Sequence, residues 1–491
     1  MVSLKDRDLL SIQETRILVA QAKKAQRQIA VMGQNEIDNL VRAAAQAGED
    51  NAEHLAKMAH EETGFGRWED KTLKNIFAAR GTHRSTLGMS TVGIIREDRE
   101  KKILEIASPL GIVAGLIPST NPTSTTIFKA MIAVKAGNGI IFSPHPAAKQ
   151  CIMETVRILS DAIQEAGGPE GLVGCLSLPT KDGTTELMRH RDISMILATG
   201  GAEMVHAAYS SGTPALGVGP GNSPAFIERT ADIPTAVRRI IESKTFDYST
   251  ICASEQSVVV DEPIRSSVEA EFRKQGGYFL SPEEAAKVAS VILSPSGTMN
   301  ARTVGRSPQV IAELAGIYVP SEIRVLLAPQ EGVGNDYPFS HEKLCPILAF
   351  YWADGWERCC ERCIELLEFE GAGHSLAIHT ADESIVREFG LRKPVSRLIV
   401  NAGSSLAAVG ATTNLLPSLT LGCGAAGHNA TSDNVGPMHL LNIRRVAWGI
   451  REIGDLRLEK RQSGESRTTD SRIDDLVKEI VDQLEVRLAL K

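Results

Sequence analysis

Residues 111–167 read GIVAGLIPSTNPTSTTIFKAMIAVKAGNGIIFSPHPAAKQCIMETVRILSDAIQEAG. Two short apolar runs, GIVAGLIP (111–118) and NGIIFSP (138–144), are rich in β-branched and aliphatic residues. Each precedes a longer segment with helical spacing, TSTTIFKAMIAVKAG (123–137) and AAKQCIMETVRILSDAIQEAG (147–167). Strand, helix, strand, helix at this spacing predicts parallel strands joined by crossover helices, the pattern of a doubly wound α/β sheet. The alternation continues through GLVGCLSLP (171–179), TTELMRHR (184–191), ISMILATG (193–200) and AEMVHAAYSSG (202–212). A second α/β stretch opens with SPAFIE at 223 and extends to about 425. Upstream, residues 3–90 read as helices with polar faces, and TVGIIREDREKKILEIASP (91–109) reads as a hairpin with a charged turn.

With 491 residues the chain exceeds one compact core, so two or three domains are expected. Hydrophobic residues at 43% and charged residues at 23% suit an ordinary soluble enzyme, and a net charge of -7 argues against a nucleic-acid binder. The first thirty residues carry charges throughout, and no stretch approaches eighteen apolar residues, so neither a secretory signal nor a membrane span is expected. The eight cysteines are dispersed apart from ERCCERC (357–363), which points to free thiols in the cytoplasm. Cys359, Cys360 and Cys363 lie at helical spacing with no second ligand pair, so they are read as packing residues and no metal is expected.

Four segments carry chemistry. FDYSTICASEQS (246–257) sets Cys252 among small polar neighbours that leave a sulfur accessible. IPSTNPTSTT (117–126) places Asn121 at the carboxyl end of a strand, where an amide can donate to an oxygen that becomes negative. LATGGAEMV (197–205) runs a strand through Gly200 and Gly201 into a helix start, where backbone amides can face a pyrophosphate. In ALGVGPGNSPAF (215–226), Gly217, Gly219 and Gly221 would let the main chain pass close to a cofactor. Each has a bland counterpart: a core thiol, a turn Asn beside Pro122, and structural glycines.

Taken together, STNPTS (119–124), IIFSPHPAAK (140–149), GVGPGNSPAF (217–226), TICASEQS (250–257) and GCGAAGHNATSDNVGPMHLLNI (422–443) resemble the aldehyde dehydrogenase superfamily. Within it they are similar to the CoA-acylating acetaldehyde/propionaldehyde branch, over about residues 5–450. The resemblance implies a Rossmann-like NAD domain (1–95 and 111–222), an α/β catalytic domain (223–425) and a small β oligomerisation element (96–110 and 426–450) of a dimer or tetramer. It assigns Cys252 as the nucleophile and Asn121, with the Cys252 N–H, as the oxyanion hole. Cofactor contacts are implied at Ser119, Thr120, Ser143, His145, Pro146, Gly200, Gly201, Val218, Gly219, Glu342 and Pro346. Glu342, in SHEKLCPILAF (340–350), matches the carboxylate that holds the nicotinamide ribose.

Two departures refine this picture. Hydrolytic relatives have a water-activating Glu in a Glu-Leu-Gly-Gly run, and aligning NSP (222–224) places Val218 there. Without that base an acyl-cysteine waits for a better nucleophile, and the thiol of coenzyme A needs less activation than water. Ser143 stands where many hydrolytic relatives have Lys, which leaves NAD favoured and NADP open. A ping-pong reaction of a short aldehyde, NAD and CoA follows, with release of a free acid as the rival outcome. Glu255, near Cys252 in sequence, is read as structural.

Beyond the core, EKRQSGESRTTDS (459–471) reads as a flexible linker. Residues 472–491 form an amphipathic helix with Ile473, Leu476, Val477, Ile480, Leu484 and Leu488 on one stripe. A linker ahead of such a helix resembles the encapsulation peptides of bacterial microcompartment cargo. The expected partner of the stripe is a shell protein or other cargo, with docking on the enzyme itself as the alternative.

Overall fold

The computed structural model describes residues 5–294 and 299–488. The chain divides into two units, Met1–Gly93 with Ala107–Ile443, and Ile94–Ile106 with Arg444–Lys491. The hairpin forms as expected: β1 (Gly93–Asp98) and β2 (Ile103–Pro109) are joined by a charged turn.

Within the larger unit, GIVAGLIP becomes β3 (Ile112–Ile117), buried along its whole length, and NGIIFSP becomes β4 (Gly139–Pro144). With β5 (Val173–Cys175), β6 (Ile193–Thr199) and β7 (Ala215–Val218) they form a parallel sheet in the order β5-β4-β3-β6-β7. Helices Pro122–Lys135, Lys149–Glu165, Lys181–Arg189 and Ala202–Tyr209 supply the crossovers. The strand order reverses between β3 and β6, which stay paired as far as Leu116 and Ala198, so the connections beyond their carboxyl ends run apart and leave a crevice at the place where open α/β sheets bind ligands. IPSTN and TGG emerge there.

A second parallel sheet follows from β8 (Ser223–Ile227), β9 (Glu255–Asp261), β10 (Gly277–Phe279), β11 (Val325–Pro329), β12 (Ile347–Ala353), β13 (Gly373–His379) and β14 (Val395–Val400). Its order is β10-β11-β12-β9-β8-β13-β14. Both faces are buried. Val258 and Val260 of β9 enter one core with Leu348 and Phe350, while Val259 enters the other with Ile347 and Ala349, as the two-residue period of a strand requires. Cys359, Cys360 and Cys363 pack into that second core from helix Trp356–Phe369.

The smaller unit adds β15 (Leu441–Ala447) to the hairpin, giving a three-stranded sheet in the order β1-β2-β15. One helix, Ile453–Leu488, then runs straight through 459–471. The expected linker is therefore corrected: Glu459, Lys460, Arg461 and Gln462 have high helical propensity, and low hydrophobicity alone does not interrupt a helix. Ile473, Leu476, Val477, Ile480 and Leu484 are all exposed, and the side chain of Leu488 lies outside the described residues. No helix among the described residues is long and apolar enough to cross a membrane.

Candidate active site

The helix before the nucleophile ends at Thr245, and the chain then takes three successive left-handed residues, Asp247, Tyr248 and Ser249, with φ of 48°, 47° and 67°. Non-glycine residues pay for this conformation with steric strain, so the surroundings must hold it. They do so through Asp247, which is fully buried and accepts from Lys71 Nζ at 3.0 Å, from Arg67 N at 2.7 Å and from Lys74. Gly66 leaves the room: a Cβ there would meet the Asp247 carboxylate at 1.8 Å. The turn delivers Cys252 three residues ahead of β9.

Cys252 thus sits at the amino edge of the seven-stranded sheet, opposite the carboxyl edge of the five-stranded one. Between the edges lies a cavity of about 210 Å³ lined by Cys252, Ser119, Thr120, Asn121, His145, Gly200, Gly201, Val218, Gly219 and Glu342, among others. A second cavity of about 380 Å³ shares His145 and adds Ser143, Pro146, Thr184 and Lys181. Ten of the implied cofactor residues therefore line one cavity or both. Pro346 lines neither. It is buried just before β12, and its carbonyl accepts from Leu326 N at 2.9 Å. The three glycines of GVGPG also divide. Gly219 lines the cavity, Gly217 packs on Val205 and Tyr209, and a Cβ on Gly221 would strike the Cys252 carbonyl at 2.1 Å.

Asn121 donates from Nδ2 to Thr250 O at 2.9 Å and to Thr120 Oγ1 at 3.2 Å. His374, the second residue of β13, holds Nε2 3.3 Å from Cys252 Sγ, and its Nδ1 meets Ser375 Oγ at 2.8 Å. Burial, aided by the Arg397 guanidinium, pushes the imidazole down to about 3, so the ring is neutral. Arg397 is itself buried and donates to the His374 carbonyl at 2.9 Å. Burial chiefly pushes the Cys252 thiol up to about 12, with Glu342 adding to the effect. Glu342 accepts from Gly221 N at 3.0 Å, and desolvation beside Glu370 pushes it up to about 8. Glu255 lies elsewhere: it is buried and bonded to Ser243 Oγ and Ser404 N, a structural role.

The sequence reading omitted His374 and Lys74. A histidine within HSLAIH, among apolar residues, looks like core, and nothing local singles it out from the other ten histidines. The only available signal was general, since a cysteine nucleophile calls for a histidine somewhere in the chain.

The cavity can seat an extended cofactor. Gly201 and Gly219 leave open space where a Cβ would project, helix Ala202–Tyr209 points its amino end toward the crevice, and the Glu342 carboxyl is available to ribose hydroxyls.

The profile of the aldehyde dehydrogenase family matches residues 9–276. The chain is 44% identical over 442 residues to the bifunctional aldehyde-alcohol dehydrogenase of Escherichia coli K12, covering 89% of this chain and 50% of that one. It thus spans about half the length of the curated relatives it first matches. Among solved structures it resembles an acetylating aldehyde dehydrogenase from Geobacillus thermoglucosidasius, with TM-score 0.90 and 55% identity over 92% of this chain and 99% of that one. It also resembles a propionaldehyde dehydrogenase from the fucose utilisation bacterial microcompartment of Clostridium phytofermentans, with TM-score 0.80 and 28% identity over 89% and 98% of the two chains.

Proposed function

We propose that this chain, which belongs to the aldehyde dehydrogenase family, oxidises a short-chain aldehyde such as acetaldehyde or propionaldehyde and passes the acyl group to coenzyme A. The Cys252 thiol gives up its proton to solvent as Sγ adds to the aldehyde carbonyl, and the developing oxyanion is held by Asn121 Nδ2 and the Cys252 N–H. A nicotinamide cofactor bound in the crevice would supply the hydride acceptor. Ser119, Thr120, Gly200, Gly201 and Gly219 would hold it in the cavity of Cys252; Ser143, His145 and Pro146 would hold it in the adjoining cavity, and Glu342 would accept from a ribose hydroxyl. The result is an acyl-cysteine. His374 Nε2, neutral and 3.3 Å from the sulfur, then takes the proton of the incoming thiol, and Cys252 leaves as acyl-CoA forms.

The observation that carries this reading is the pairing of Cys252 with a neutral imidazole in a cavity that Val218, buried and apolar, also lines, at the position where the resemblance puts the water-activating Glu of hydrolytic relatives. Product analysis tests it. Without CoA the protein should stall after about one equivalent of NADH per Cys252, and with CoA it should yield acyl-CoA. Steady production of free acid in CoA-free buffer would instead identify a hydrolytic enzyme, with Glu342 as its base, since that carboxyl lines the same cavity. Parallel assays with NADP decide the cofactor preference.

The tail supports a further part of the proposal, that a homo-oligomer of the enzyme is packed within a bacterial microcompartment. Five apolar residues of helix Ile453–Leu488 lie exposed on one stripe and suit a groove on a shell protein or on other cargo. Deleting residues 459–491 should leave activity and oligomer size near normal and abolish co-purification with shells. A truncated protein that changes its oligomeric state would make the tail a structural element instead.

A further inference from the structure

Helix Trp68–Ile76 places Lys71 and Lys74 three residues apart on one face, and both are buried against the nucleophile turn. The carboxylate they meet, Asp247, is a single negative charge. Lys71 supplies a counter-ion at 3.0 Å and spends another bond on Thr120 O at 3.2 Å. Asp247 is thus shared by two cations; Asp70 also favours the charged form of Lys74, yet burying this second cation still costs desolvation. Burial pushes Lys74 down to about 8.

What Lys74 does with its charge is visible in its bonds. An ammonium has three donors and no acceptor. Lys74 Nζ directs them to Asp247, to Thr250 Oγ1 at 3.2 Å and to Asn121 Oδ1 at 2.5 Å. Because an ammonium can only donate, the amide atom facing it has to be oxygen, which settles the flip of Asn121 and directs Nδ2 toward Thr250. A cation on Oδ1 also polarises the amide and strengthens its N–H donors. Thr250, two residues before the nucleophile, is tied to the same ammonium.

We propose that Lys74 is a positioning residue for the oxyanion hole: it locks and polarises the Asn121 amide and fixes that amide to the Cys252 turn. This rests on the reading of Asn121 as the oxyanion donor. When the aldehyde carbonyl becomes an oxyanion, the Asn121 N–H that reaches Thr120 Oγ1 at 3.2 Å is the bond free to be exchanged, while the Lys74 bond stays in place.

A double-mutant cycle of Lys74→Met and Asn121→Ala in the full chain tests the coupling. Lys74→Met should lower kcat by about tenfold or more, up to the 10²–10³ expected for loss of the donor itself, with KM for aldehyde little changed. In the Asn121→Ala background the same substitution should cost almost nothing, because the amide it serves is gone. Stoichiometric labelling of Cys252 by iodoacetamide checks that the site is intact. Should Lys74→Met not accumulate folded, Lys74→Gln, which keeps a neutral donor, goes through the same cycle. Losses that multiply in the double variant, or an unchanged kcat in Lys74→Met, would overturn the proposal. So would wild-type turnover by Asn121→Ala, which removes the oxyanion role on which it rests. Release of free acid by the wild-type protein refutes acyl transfer alone and leaves the Lys74–Asn121 coupling standing.

Discussion

The nucleophile should be nearly inert until cofactor arrives. Burial holds the Cys252 thiol near 12, and its one hydrogen-bonding imidazole, pushed down to about 3, is a poor proton acceptor at rest. An ordinary cysteine near 8.5 is about 3% thiolate at pH 7, whereas a thiol near 12 is about 0.001% thiolate, a loss of roughly 10³. The more basic thiolate is intrinsically more reactive, which returns about 10¹·⁵. Iodoacetamide should therefore alkylate Cys252 in the cofactor-free protein roughly 30- to 100-fold more slowly than it alkylates glutathione at pH 7, with a rate still climbing at pH 9. His374→Ala should change that resting rate little, although it should impair acyl transfer to CoA by about 10²–10⁴. Adding NAD, whose oxidised ring is positive, should speed alkylation by stabilising the thiolate, and NADH should not. The measurement is pseudo-first-order labelling followed by mass spectrometry of the Cys252 peptide across pH 6–10. A rate that is flat from pH 6 to 8 would mean a preformed thiolate–imidazolium pair, and the desolvation argument would fail.

Three other expectations follow from the geometry. Asn121→Ala should lower kcat by about 10²–10³ with KM little changed, and a change confined to KM would leave it a turn residue. Glu342, held near 8, is protonated below that pH and becomes a full acceptor above it, so NADH affinity measured by fluorescence should improve as pH rises through about 8. Glu342→Gln should flatten that dependence, and an unchanged profile would remove Glu342 from the cofactor site. Gly221→Ala should displace the Cys252 turn, because its Cβ would lie 2.1 Å from the Cys252 carbonyl; activity should fall sharply and stability by about 1–3 kcal/mol. Wild-type activity in that variant would show that the two loops are independent.

How much of this was legible beforehand depended on how local each signal is. The βα alternation from Gly111 onward names its own strands, because parallel buried strands are continuous apolar runs and their crossovers carry helical spacing. Cys252 and Asn121 could be found because each stands inside a compact motif. His374 could not, since its meaning comes from β13 lying beside β8, 150 residues earlier in the chain. Lys71 and Lys74 were hidden for a related reason: in WEDKTLKNI they look like a solvated face, and only the Asp247 turn makes that face interior. The Cys252 edge also reverses a common expectation, because the second sheet offers its amino ends to the site. Residues 459–471 were misread for a local reason: a polar stretch with Ser, Gly and Thr looks like a break, yet low hydrophobicity does not by itself end a helix.

The left-handed run at Asp247–Ser249 has a consequence for how such chains can be altered. Much of its strain is offset by contacts from residues 66–74, about 175 positions away, so neither segment should retain its shape when the other is exchanged. A chimera that imports the nucleophile turn of a relative must import the residues at Gly66, Asp70, Lys71 and Lys74 with it. In the history of the sequence, the same two stretches should have drifted together or not at all.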